Sequence, residues 1–121
     1  MKKLLVSLLS LALVTASVQA AENYVANLRL QAGQIAVEIT NNTPYTIEYD
    51  ARILIVPGQS KAVAVNTHKT AFDLYDEDGD LLGKVAVPGM LETGDDVTFL
   101  AQGGVVIVTH NGLPVTKVNV Q

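Results

Sequence analysis

The amino-acid sequence predicts an all-β domain, an antiparallel β-sandwich or small barrel of about nine to ten short strands, and three observations carry that prediction. Apolar residues beyond position 20 recur with period two or in short runs, as where Ile35, Val37 and Ile39 alternate with Ala36, Glu38 and Thr40. Such alternation places one face of a strand in a core and the other in water, whereas no stretch keeps a helical stripe over three turns. Turn-forming pairs punctuate the runs at Pro57-Gly58, Asp78-Gly79, Pro88-Gly89, Gly103-Gly104 and Asn111-Gly112, with Gly33 before the first clear strand. The connections are too short for crossover helices, which favours antiparallel pairing.

The chain opens on Met1, Lys2 and Lys3, an apolar run from Leu4 to Val14, and small or polar residues ending Ser17-Val18-Gln19-Ala20. That order is the one of a bacterial secretory signal, so residues 1–20 are expected to form a signal helix cleaved after Ala20. The apolar run is shorter than the roughly 20 residues a spanning helix needs. The expectation is thus a single domain over residues 21–121, periplasmic or secreted, with no transmembrane segment in the mature chain. With no cysteine in the chain, neither a disulfide nor a thioether-linked lipid is available to it.

The expected strands are Tyr24 to Leu30, the run around Ile35 to Ile39, Thr46 to Asp50, Arg52 to Val56, Lys61 to Val65, Ala71 to Tyr75, Leu82 to Val87, Asp96 to Ala101, Val105 to Thr109 and Val115 to Val120. Pro-Gly suits a type II turn, because proline presets the first central φ and glycine accepts the positive second one. Asn-Gly and Asp-Gly mark tight hairpins. Val105-Val106-Ile107-Val108 is apolar on both faces and reads as a central strand, while Pro114 and Lys117 mark the last strand as an edge.

Past the signal, six basic residues face twelve acidic ones, a net charge of −6, and the basic residues are scattered singly. Nucleic-acid and anionic-membrane binding both use clustered Lys and Arg, so both are set aside. The most conspicuous local feature is the acidic hairpin 73–80, Asp73-Leu74-Tyr75-Asp76-Glu77-Asp78-Gly79-Asp80. Asp76, Asp78 and Asp80 alternate as a hard oxygen set of the kind calcium takes, although the helix-loop-helix calcium template would want Gly and Glu where Leu81 and Val87 stand. The alternative reading is a solvated hairpin with Asp78-Gly79 at its tip. The stretch from Tyr75 to Leu81 resembles one unit of the YD-type repeats of large bacterial surface proteins.

His68 and His110 both sit in turn-like contexts and are expected to be exposed; with no thiol, they fall short of a zinc or blue-copper ligand set. Ser60, the one serine after position 20, lacks the Gly-x-Ser-x-Gly elbow of a hydrolase. Glu48/Asp50 and Asp95/Asp96 are the paired carboxylates a glycosidase would need, in a chain with no tryptophan. Among the tyrosines, Tyr49 is in phase with Ile47 and expected in the core. Tyr45, after Pro44 in Asn41-Asn42-Thr43-Pro44-Tyr45, is the candidate contact residue, with a packed turn residue as the alternative.

The cadence Ile39-Thr40-Asn41-Asn42-Thr43, then Ile53 to Ser60, then Val63-Ala64-Val65, resembles that of immunoglobulin-like exported domains. The resemblance implies a fold and no functional residues. The functional expectation is a non-catalytic module that needs no cofactor and binds a protein or an envelope polymer. A calcium-dependent domain using Asp76, Asp78 and Asp80 is the alternative, and a small periplasmic hydrolase built on the histidines and acids a weaker one.

Overall fold

The computed structural model describes residues 30–121; the expected signal and all but the last residue of the expected strand Tyr24 to Leu30 lie outside the described residues. Nine strands follow in order: β1 (Gln34–Asn42), β2 (Thr46–Tyr49), β3 (Ile53–Ile55), β4 (Ser60–Asn66), β5 (Ala71–Tyr75), β6 (Leu81–Ala86), β7 (Asp96–Gln102), β8 (Val105–His110) and β9 (Leu113–Asn119). They form two separate hydrogen-bonded sheets, ordered β4-β1-β7-β8-β9 and β3-β2-β5-β6, not one closed ring. Among the described residues no helix is long and apolar enough to cross a membrane.

The period-two pattern decides which side chains meet. From the five-stranded sheet come Val37, Ile39, Val63, Val65, Val97, Phe99, Val106 and Val108; from the four-stranded sheet come Ile47, Tyr49, Ile55, Phe72, Leu74 and Val85. Each such side chain contributes on the order of 1.5–3 kcal/mol by leaving water. Phe72 and Phe99 join the layers edge to face, with centroids 5.4 Å apart, and Tyr49 lies 5.2 Å from Phe72. Tyr49 is in the core as its phase required. Its hydroxyl donates to the Lys69 carbonyl at 2.6 Å and accepts the Asn66 N–H at 2.8 Å, tying β2 to the β4–β5 turn.

Two expectations are corrected. Pairing is not wholly antiparallel, because β1 and β7 run parallel with Glu38 opposite Asp96. The chain crosses between them through the other sheet, so β7 enters beside β1 from the same end without a crossover helix. As expected, β8, which carries the Val105 to Val108 run, is an interior strand, paired on one side with β7, the middle of the five, and on the other with β9. Its outward Ile107 is kept half-covered in a row between Leu100 and Lys117. Asp50 is no strand residue: Asp50 and Ala51 both take φ 57 and reverse the chain, with Arg52 N–H donating to Tyr49 O. Neither residue is glycine; Asp50 carries only an aspartate's modest tolerance of that region, and Ala51 none. The edge position of β9 is as expected.

Asn41, the penultimate residue of β1, is at an inward position and fully buried. Its Nδ2 donates to the carbonyls of Tyr45 (2.7 Å) and Ile55 (2.8 Å). Its Oδ1 accepts the Thr43 N–H (3.0 Å) and the Thr43 hydroxyl (2.6 Å). Its backbone donates to Gln59 O and accepts from Gly58 N–H. The side chain thereby joins the end of β1, the start of β2 and the end of β3, and the backbone of the same residue ties in the turn before β4. Asn41→Ala removes the side-chain donor to the buried Ile55 carbonyl and the acceptor of the Thr43 N–H, leaving Tyr45 O with the longer bond from the Thr43 hydroxyl, and a loss of about 2 kcal/mol is expected in urea denaturation; an unchanged midpoint contradicts the assignment.

Candidate functional site

The β5–β6 hairpin closes through a three-residue loop, Glu77-Asp78-Gly79, in place of a two-residue Asp78-Gly79 tip. Gly79 N–H donates to Asp76 O at 3.0 Å, Asp76 N–H donates to Asp80 O at 2.9 Å, and Gly79 takes φ 85. This is a turn followed by a left-handed glycine that absorbs the extra residue. Asp76 Oδ1 accepts the N–H groups of both Asp78 and Asp80 at 2.9 Å, so this carboxylate builds the loop. Curling the backbone around it brings Asp76, Asp78 and Asp80 together, with one carboxylate oxygen of each within 4.8 Å of the others. Asp76 is half-buried and its two neighbours are exposed. Among the described residues this is the only group of three His, Cys, Asp or Glu side chains so close. Chemically it is a negatively charged oxygen set open to solvent.

Tyr45 is less free than its place after a proline suggested. It is half-buried against the core, its N–H donates to Thr43 Oγ1 at 3.0 Å, and its carbonyl is held by Asn41. Beside it, held by the same asparagine, is the Val56 to Gln59 turn, with Pro57 exposed and Val56 48% exposed. Pro44 is exposed on the first of these two segments. Leu54 on edge strand β3 is also 48% exposed, and Lys61 Nζ donates to its carbonyl at 3.1 Å. That bond occupies part of an otherwise open strand edge.

The two histidines are not brought together. His68 lies in the exposed turn after β4, and His110 ends β8. β1 and β7 intervene, about 14 Å sideways from three inter-strand spacings, and the register sets His110 level with Lys61, several rungs along β4 from His68. Ser60 is at the far end of β4 from His68 and three strands across the sheet from His110, its hydroxyl 2.9 Å from that of Thr40. Glu48 and Asp50 are likewise separate: Tyr75 OH donates to Glu48 at 3.2 Å, while Asp50 pairs with Lys69 at 2.6 Å.

His110 departs from the expected exposed loop residue. It is part-buried, with Nε2 2.7 Å from Asp95 Oδ2. The same carboxylate accepts the Glu92 N–H at 2.9 Å and Asn111 Nδ2 at 3.1 Å. Burial acts to raise the Asp95 carboxyl, but the Glu92 amide, His110 and Asn111 together outweigh it and hold it below the ordinary range. Counting outward from the Gly103-Gly104 turn places His110 opposite Val97 and so near Asp95; hairpin arithmetic was the available signal. For Asn41 the signal was its inward phase in 35, 37, 39, 41.

The chain matches no family model, no curated protein and no solved structure. Local chemistry therefore carries the functional argument.

Glu38 faces Asp96 across the parallel pair. Burial, then the Asp96 charge, raises the Glu38 carboxyl above its ordinary value. A raised acid binds its proton more tightly folded than unfolded, so stability falls as pH rises from the ordinary glutamate value through the folded one. Glu38→Gln is expected to raise the melting temperature at pH 7 and leave it unchanged near pH 3, with a gain of about 0.5 kcal/mol for one like-charge cross-strand pair; equal effects at both pH values contradict this.

Proposed function

We propose that this chain is an exported, non-catalytic binding module, an immunoglobulin-like β-sandwich that engages a protein or envelope polymer. The export reading rests on residues 1–20, which have the order of a cleavable signal and direct the domain to the periplasm or beyond. The observation that carries the binding reading is the Asn41 junction. It holds two segments side by side, one bearing Pro44 and Tyr45 and the other Val56 and Pro57. A set of apolar side chains on fixed backbone loses little conformational entropy on contact, which is what a recognition surface requires. Leu100, adjacent to Asn42 in the parallel pair and 41% exposed, extends the same end of the molecule. Loops on a rigid sheet framework are the usual seat of such contacts.

The test is retention of envelope components by the mature domain compared with Val56→Asp, a change at an exposed position that leaves the junction's hydrogen bonds in place. A component held by the wild type and lost at least tenfold by the variant supports the reading; equal retention, or none, overturns it.

A second reading is favoured by the closeness of Asp76, Asp78 and Asp80. We propose that this hairpin takes a weakly held calcium ion, with the three carboxylates as ligands and water completing the shell of six to eight oxygens. Asp76→Asn retains an oxygen for the two loop amides and removes a charge. Calorimetric titration should give heat with calcium for the wild type and none for this variant; no heat from the wild type at millimolar calcium eliminates the reading.

A further inference from the structure

The β8–β9 turn is Asn111-Gly112, with φ 51 and 89, and both residues are exposed. Both positive φ values explain why this pair stands there. The same pair supplies the two reactants of an internal condensation: a side-chain carboxamide and the nitrogen of a following residue that has no Cβ to obstruct its approach. At the other Asx-Gly sequence among the described residues, Asp78-Gly79, the glycine N–H is engaged with Asp76 O at 3.0 Å. Gly112 is not a donor in any of the turn and loop backbone bonds.

The surroundings of the Asn111 carboxamide matter in two ways. Its Oδ1 accepts the Asp96 N–H at 2.8 Å, which draws charge from Cγ and stabilises negative charge on that oxygen as a nucleophile adds. Its Nδ2 donates to Asp95 Oδ1 at 3.1 Å, and Asp95 in turn holds Glu92 N–H and His110. The amide is therefore one of the bonds that fasten the β8–β9 turn to the 92–96 segment, beside the His110–Asp95 contact and the backbone bond from Asn111 N–H to Asp96 O.

We propose that Asn111 is a deamidation site that acts as a one-way release of this fastening. The Gly112 nitrogen attacks Asn111 Cγ and loses its proton to solvent, the Cγ–Nδ2 bond breaks, and Nδ2 leaves as ammonia after gaining a proton. Water then opens the cyclic imide at either carbonyl to give aspartate or isoaspartate. One water is consumed and one ammonia released, with no oxidant or reductant. In the aspartate product a carboxylate replaces the donor that faced Asp95, so the two sides carry like charge and no hydrogen between them. The isoaspartate product also lengthens the backbone by one carbon inside a two-residue turn. Neither product rebuilds the bond.

The experiment is incubation of the folded wild-type protein at mildly alkaline pH, with peptide mapping by mass and hydrogen exchange at the Glu92 amide. Conversion is expected at Asn111 ahead of Asn42, Asn66 and Asn119, with release of ammonia. Converted protein, separated from the starting material by its added negative charge, is expected to exchange the Glu92 amide at least several-fold faster. Asn111→Asp should reproduce that exchange without incubation; if this variant does not fold, the converted wild type supplies the measurement. An Asn111 that stays an amide while a denatured control converts overturns the proposal, as does a converted protein whose Glu92 amide exchanges at the original rate.

Discussion

A buried side-chain amide governs this architecture. Where β1 leaves the larger sheet and the chain crosses to β2, backbone groups must turn away from both ladders, and burial makes any unpaired one expensive. Asn41 meets that demand with two donors and two acceptors on one planar group, all four in use. With the end of β1 and the start of β2 fixed there, the phase of β2 follows, and Ile47 and Tyr49 turn inward. Tyr49 then reaches the opposite end of the molecule and performs the matching task between Asn66 and Lys69. Between these two polar anchors the apolar core needs no polar partner of its own: among the described residues, every buried side-chain nitrogen and oxygen has a hydrogen-bond partner.

Strand positions were legible because period two and glycine-bearing turns are local signals. Lys61 to Val65, Ala71 to Tyr75 and Val105 to Thr109 fall within a residue of β4, β5 and β8 at either end. What escaped was non-local or chemically silent. The parallel pairing of β1 with β7 depends on where five intervening strands lie, and the Asp50-Ala51 turn uses left-handed backbone without glycine or asparagine. Asn41 stands at the head of the turn-like stretch Asn41-Asn42-Thr43-Pro44-Tyr45, and its burial is decided by the segments that converge on it. His110 was read as exposed because the turn beside it is, while its partner Asp95 stands fifteen residues earlier. For the acidic hairpin, the spacing did anticipate that Asp76, Asp78 and Asp80 lie close, though not that Asp76 itself shapes the loop.

The acidity of the chain has a structural component. Asp76, Asp95, Asn66 and Asn111 each accept at least one backbone N–H near a turn through a side-chain oxygen. Serine and threonine often share this work; here one serine remains after position 20, and Thr43 and Thr93 do part of it beside the acidic and amide side chains. Carboxylates so used are acceptors already committed to the fold, which distinguishes Asp76 and Asp95 from the freely solvated Asp78 and Asp80.

The parallel β1–β7 contact also sets an order of assembly. Glu38 meets a residue 58 positions later, and the strand that supplies it also brings Val97 and Phe99, the ring on which Phe72 packs. Until β7 arrives, β1 has β4 alone beside it and the smaller sheet has no opposing layer over most of its length. Contacts of such long sequence separation require the loop entropy to be met before they return any stabilisation, which places folding among the slower, millisecond-to-second class. A chain emerging N-terminus first therefore stays open until its last third is free. Its final, β7-to-β9 portion acts as the closing event for everything made before it.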